Sequence, residues 1–197
     1  MRLQSVAPFL IAIMTLFVSC DKKLSYEKAI KRSYGKEVNF SWNKKYIQED
    51  TVVFESDVLQ TPIKIVSYID KSLCDPCFAK YLYGAGELMN KFPADSVKFF
   101  CIVTSREEEF LMECTKVVNS KSCVIIEDVE DSFIAANTLE RHSAFCRTFL
   151  LDANNRILLT GDVMRQSNLQ KLYIERIEEL IKNGGTLNEK HRRFGNK

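Results

Sequence analysis

Cys74-Asp75-Pro76-Cys77 is the segment of this chain whose residue types and spacing speak most directly of chemistry. It sits where the apolar, β-branched run Ile63-Lys64-Ile65-Val66-Ser67-Tyr68-Ile69 gives way to a helix-like stretch from Phe78 to about Lys91. Two cysteines two residues apart at a strand-to-helix turn have the geometry of a redox dithiol. Cys74 falls at the helix N-terminus, where unpaired backbone N–H groups and the positive end of the dipole favour a thiolate. Cys77 falls within the first turn, close enough to attack a mixed disulfide formed on Cys74. Pro76 suits that turn because its missing N–H is not needed there. Asp75 works the other way, since a carboxylate beside Cys74 raises the thiol pKa and opposes the dipole. Two other readings fit the same pair: a soft-metal or cluster site, and a static disulfide.

The elements that must hold this turn can be read from the flanking pattern. Thr51-Val52-Val53-Phe54 reads as a strand, and Thr61-Pro62 turns the chain into Ile63–Ile69. Val97 to Thr104 is almost continuously apolar, as expected of a strand buried on both faces. Ser105-Arg106-Glu107-Glu108 opens a helix, with Ser105 as the cap, and Phe110, Leu111, Cys114, Val117 and Val118 share one of its faces. Cys123–Ile126 is a further short strand, and Asp131 to Leu139 a short helix. Phe145–Leu151 and Arg156–Leu159 flank Asp152-Ala153-Asn154-Asn155, which has the residues of a hairpin turn. Leu169, Leu172, Tyr173, Ile177, Leu180 and Ile181 stripe a last helix that ends before Gly184-Gly185. Before residue 50 the sequence predicts a short helix at Tyr26–Tyr34, stopped by Gly35, within an N-terminal extension packed on the domain.

The chain has 197 residues, with 28 Lys and Arg against 26 Asp and Glu. That is enough for one domain with a proper core, and a balance so near neutral argues against a nucleic-acid partner. Residues 1–19 read as an export signal: Arg2 is the only charge before Asp21, and Val6–Val18 is apolar but shorter than the roughly 20 residues a spanning helix needs. The segment Leu16-Phe17-Val18-Ser19-Cys20 resembles the lipobox of bacterial lipoproteins, although Phe17 departs from the usual aliphatic residue. That resemblance implies a lipidated Cys20 as mature N-terminus and a membrane-anchored protein of the cell envelope, facing the periplasm. The chain then divides into a signal peptide (1–19), a tether and extension (20–50), a domain (51–183) and a basic tail (184–197).

The element order β–α–β–α–β–(α)–β–β–α, with the dithiol after a central strand, resembles the thioredoxin fold. It resembles in particular the membrane-tethered thioredoxin-like proteins of bacterial envelopes, which reduce disulfides of partner proteins. The resemblance covers about residues 50–183, and its second specific piece is Thr148-Phe149-Leu150-Leu151-Asp152 followed by Asn155-Arg156-Ile157-Leu158. It implies an α/β domain with a central mixed sheet flanked by helices, catalytic cysteines at Cys74 and Cys77, and a substrate-binding loop at Cys146 and Arg147. No cofactor is implied; the partners are protein thiols and disulfides.

The chain departs from that family in three places. The family's cis-proline position holds Cys146, and no proline follows Pro93. Leu73 stands where a tryptophan is usual, and Tyr68 where a buried acid is common. With Cys146 beside the pair, Cys74, Cys77 and Cys146 would form a soft-metal site. That is the ligand set of a second functional reading, a non-catalytic binding module. His142 reads as a surface residue, and Cys101, Cys114 and Cys123 as buried apolar positions, although Cys114 and Cys123 are also candidates for a bridge.

Overall fold

The computed structural model describes residues 31–41, 44–47, 59–69, 72–104, 106–118, 121–128, 132–137 and 147–187. These residues build six strands, β1 (Lys44–Ile47), β2 (Ile63–Ile69), β3 (Val97–Thr104), β4 (Cys123–Asp128), β5 (Thr148–Leu151) and β6 (Ile157–Thr160). Four helices accompany them: α1 (Asp75–Met89), α2 (Glu108–Val117), α3 (Ser132–Asn137) and α4 (Ser167–Lys182). The strands form one sheet in the order β1-β4-β3-β2-β5-β6. β2, β3 and β4 run parallel, while β1 and the β5–β6 hairpin run antiparallel to their neighbours. Every residue of β2 and all but Lys98 of β3 are buried, because layers cover both faces of the sheet.

One face packs Ile63, Ile65, Phe99, Cys101 and Leu150 against α1, α2 and α4 through Phe78, Leu82, Leu111, Tyr173 and Ile177. The other packs Val66, Tyr68, Phe100, Val124 and Phe149 against Phe133 of α3 and against Val38 and Phe40. Each such side chain contributes about 1.5–3 kcal/mol when fully buried, so these two layers hold β2, and with it the turn that follows.

Strand β1 lies in the segment assigned from sequence to the extension, and it pairs with β4 from Lys44↔Asp128 to Ile47↔Ile125. The preceding residues also reach the far edge of the sheet. Gly35 N donates to Ile157 O at 2.7 Å, and Ile157 N to Lys36 O at 2.9 Å. The strand expected at Thr51–Phe54 and most of the Tyr26–Tyr34 helix fall outside the described residues; residues 31–33 are helical.

One helix start differs from the sequence reading. The cap residue of α2 is Glu107 rather than Ser105, and it makes no side-chain capping bond. The described part of helix α3, Ser132–Asn137, lies within the 131–139 read from sequence, and its start is held from the preceding strand. The buried Asp128 carboxylate accepts from Ser132 N and Oγ and from Phe133 N, each at 2.9 Å.

The end of α4 is set by Gly184 and Gly185, with φ of 65° and 88°. Gly185 N donates to Leu180 O at 2.8 Å and its carbonyl accepts from Ala153 N at 2.9 Å, tying α4 to the β5–β6 turn. A Cβ at Gly185 would lie 2.8 Å from Pro62 Cβ and 3.1 Å from Ala153 Cβ. Gly185→Ala is therefore expected to cost about 1–3 kcal/mol from backbone strain plus clash. Gly35→Ala, at φ 76° with open space around it, should cost less. Thermal unfolding of the two variants checks the order, and equal losses would mean that the contact with Pro62 yields freely.

Candidate active site

The C-terminal end of β2 points its chain at the dithiol. Cys74 is the N-cap of α1, extended at φ −63° and ψ 150°, and Phe78 N donates to Cys74 O at 2.9 Å to begin the helix. Pro76 lies in the first turn and Asp75 is its acidic residue. Cys74 and Cys77 form a disulfide with Cα atoms 5.2 Å apart, and all four residues of the segment are exposed. The sulfurs thus sit at the surface, on the positive end of a 15-residue helix.

Beneath the turn lies a cleft of about 100 Å³ bordered by Ser72, Leu73, Tyr68, Arg147, Thr148 and Asp162, among others. Arg147 therefore borders the space beside the dithiol turn, where the sequence places a substrate-binding loop. Its floor is a buried hydroxyl network. Ser67 Oγ is 2.7 Å from Tyr81 OH and 2.9 Å from Thr148 Oγ1. Tyr81 follows Cys77 by one helical turn, so this network lies on the Cys77 side of α1. Burial, reinforced by Asp162, pushes the Tyr81 hydroxyl pKa up, so it stays a protonated donor. Asp162, whose carboxylate is raised by burial, pairs with Arg165 at 3.2 Å.

On the other side of the turn stands Arg106, a residue the sequence reading assigned only to the start of α2. Its side chain is 6% exposed, whereas that of Asp75 is 60% exposed. The guanidinium donates through Nη1 to Asp75 Oδ1 and through Nη2 to Leu73 O, the latter at 2.6 Å. It also lies 4.7 Å above the Phe78 ring. An acid placed inside a dithiol motif is a signal that some cation should answer it, but 31 residues separate the partners and local pattern does not say which.

Cys101, Cys114 and Cys123 are free and buried, in agreement with their apolar reading and without a Cys114–Cys123 bridge. Burial raises all three thiols, Cys123 to about 12 and Cys101 well above the ordinary value. They are protonated at neutral pH and do not compete with the surface pair. Among the described residues no group of three His, Cys, Asp or Glu side chains could hold a metal ion. Cys146 and His142, on which the soft-metal alternative depends, lie outside the described residues, as does Cys20.

A six-stranded mixed sheet with a Cys-x-x-Cys disulfide at the helix following its central strand is a thioredoxin-like fold. No family model and no curated protein matches the chain. Solved structures do. An electron transfer protein from Aquifex aeolicus VF5 is 14% identical, covers 74% of this chain and 97% of its own, and has a TM-score of 0.54. A second structure from that organism, an electron transport protein, gives the same identity and TM-score over 98% of its length. The thioredoxin domain of a thiol-disulfide oxidoreductase from Bacteroides vulgatus is also similar, at 14% identity, 71% and 96% coverage and a TM-score of 0.44. Among the described residues no helix is long and apolar enough to cross a membrane.

Proposed function

We propose that this protein is a thiol–disulfide oxidoreductase of the bacterial cell envelope, anchored to a membrane through a lipid on Cys20. Its Cys74–Cys77 pair exchanges electrons with disulfides of partner proteins. The observation that carries the reading is the exposed Cys74–Cys77 disulfide at the N-terminus of α1. In the reduced protein the Cys74 sulfur, seated at the N-cap, is stabilised as thiolate by the helix end. It attacks one sulfur of a partner disulfide; that S–S bond breaks, the other partner sulfur leaves as a thiolate and takes a proton from solvent. The Cys77 thiolate then attacks the Cys74 sulfur of the mixed disulfide, releasing the second partner thiol and closing Cys74–Cys77. Two electrons have passed to the partner, and an external dithiol must return them for the next cycle. The neighbour from Aquifex aeolicus is named for electron transfer, which accords with this chemistry.

Redox titration with mapped alkylation tests the proposal. Cys74 and Cys77 should interconvert between dithiol and disulfide at one two-electron potential, while Cys101, Cys114 and Cys123 stay unmodified in the folded protein. A pair that never closes under oxidising conditions would exclude the reading. The anchor is tested separately: mass spectrometry of the native N-terminus should find an acylated Cys20. An intact Met1 or an unmodified start elsewhere would remove the membrane part of the proposal.

A further inference from the structure

We infer that Arg106 is the positioning residue of the dithiol: it fastens the two residues flanking Cys74 and cancels the Asp75 charge, keeping the attacking sulfur acidic. This rests on the oxidoreductase reading and concerns its first step, attack by the Cys74 thiolate on a partner disulfide with departure of one partner thiolate.

The argument begins with the conflict inside the motif. A helix N-terminus stabilises a thiolate at Cys74, and a carboxylate on the next residue destabilises it. At a separation of about 6 Å and an effective dielectric between about 40 and 80, one unit charge changes a thiolate equilibrium about three- to tenfold. Left alone, Asp75 would undo much of what the helix supplies.

Arg106 removes that conflict by its placement. Its fork spans Cys74, binding the Leu73 carbonyl on one side and the Asp75 carboxylate on the other. A planar guanidinium makes both bonds at once, which a lysine ammonium on its flexible stem does not reproduce. The Phe78 ring beneath it fixes its position, and Phe110 packs 5.9 Å from that ring. The cation is thus built into the protein, while the carboxylate it neutralises is mostly in solvent. Solvent around the Asp75 carboxylate screens the pair and limits what it adds to stability, so its consequence is sought in the charge felt at Cys74. The other charged groups bordering the cleft beside Leu73 are Arg147, Asp162 and Arg165, and Asp162 is already paired with Arg165. Beneath Arg106, Cys101 and Cys114 also feel its charge but remain buried and protonated.

The test is the pH profile of Cys74 alkylation in the reduced protein, read by peptide mapping, for Arg106→Met, Asp75→Asn and the double variant. Arg106→Met should slow Cys74 alkylation at pH 7 about three- to tenfold and move its inflection to higher pH. The double variant, with the carboxylate gone as well, should return to within about twofold of wild type. Asp75→Asn alone, at an exposed position whose amide oxygen still accepts from Arg106, should move the inflection to lower pH. The inference is overturned if Arg106→Met leaves the profile unmoved, if the double variant stays as slow as the single, or if Asp75→Asn raises the inflection. Wild-type redox cycling is scored beside it. A pair that cycles while its Cys74 profile ignores Arg106 refutes this inference alone. A wild-type pair that fails to cycle refutes the oxidoreductase reading, and the alkylation profile still reports on Arg106.

Discussion

Cys77→Ala is expected to stop turnover while trapping the partner, and Cys74→Ala to stop both. The two sulfurs share one disulfide but occupy different places, Cys74 at the N-cap and Cys77 inside the first turn of α1. Attack on the partner belongs to the N-cap sulfur. Release belongs to Cys77, held within one turn of the mixed disulfide. Without Cys77, release depends on an external thiol. Even an effective concentration of about 1 M for Cys77, far below the limit for well-oriented groups, exceeds a millimolar external thiol roughly 10³-fold. The adduct should therefore persist in non-reducing gels and dissociate with reductant, and the partner can be identified by mass spectrometry. Both residues are exposed, and the helix end adds thiolate character at Cys74, so the faster reaction is expected there. An adduct on Cys77 in a Cys74→Ala protein, at a yield matching the reverse variant, would invert the assignment.

The parts of this protein that were legible in its sequence are those whose signals are local. β2 and β3 are runs of apolar residues with no competing period, and the structure places them at Ile63–Ile69 and Val97–Thr104 as read. The β5–β6 turn was legible because Asp152 caps it itself: its carboxylate accepts from Asn154 N and Arg156 N, each at 2.9 Å, and Asn155 takes the left-handed φ of 56°. The dithiol turn was legible because cysteine spacing and the strand-to-helix change coincide.

The illegible parts arise from tertiary pairing. β1 is Lys-Lys-Tyr-Ile, with two charges in four residues, and only the edge of β4 makes it a strand. Val38 and Phe40 lie in the extension read as packed on the domain, but which residues would close the second core face against Phe100 and Val124 was not legible. The Arg106 contact depends on the packing of α2 against α1, and Arg106 had looked like part of an ordinary helix start. Asp162 reaches the cleft only because the turn after β6 returns toward Tyr81. Cys146 and Cys20 lie outside the described residues.

Lys64, the one charged residue in the apolar run Ile63–Ile69, carries the largest expected effect on stability. In the structure it is 1% exposed, because β2 is central and lies between Lys98 of β3 and Leu151 of β5. Burial lowers its pKa to about 8, and the nearby Asp152 carboxylate offsets only part of that. The sign follows from proton counting. Below about pH 8 both folded and unfolded chains hold the proton, so the full penalty applies. Between about 8 and 10.5 the unfolded lysine keeps a proton that the folded one has lost, so stability rises with pH. Above 10.5 neither holds it and the penalty is gone. A shift of this size corresponds to about 3 kcal/mol. Lys64→Met keeps the apolar stem and removes the ammonium. Compared by urea unfolding, it should exceed wild type by up to about 3 kcal/mol at pH 7, with the gap closing between pH 8 and 10.5. Cys101, Cys114, Cys123 and Tyr81, all raised by burial, make both proteins less stable at high pH, and they cancel in the difference. A variant that is less stable than wild type at pH 7 would show that the attraction to Asp152, left without its cation, outweighs the burial of Lys64.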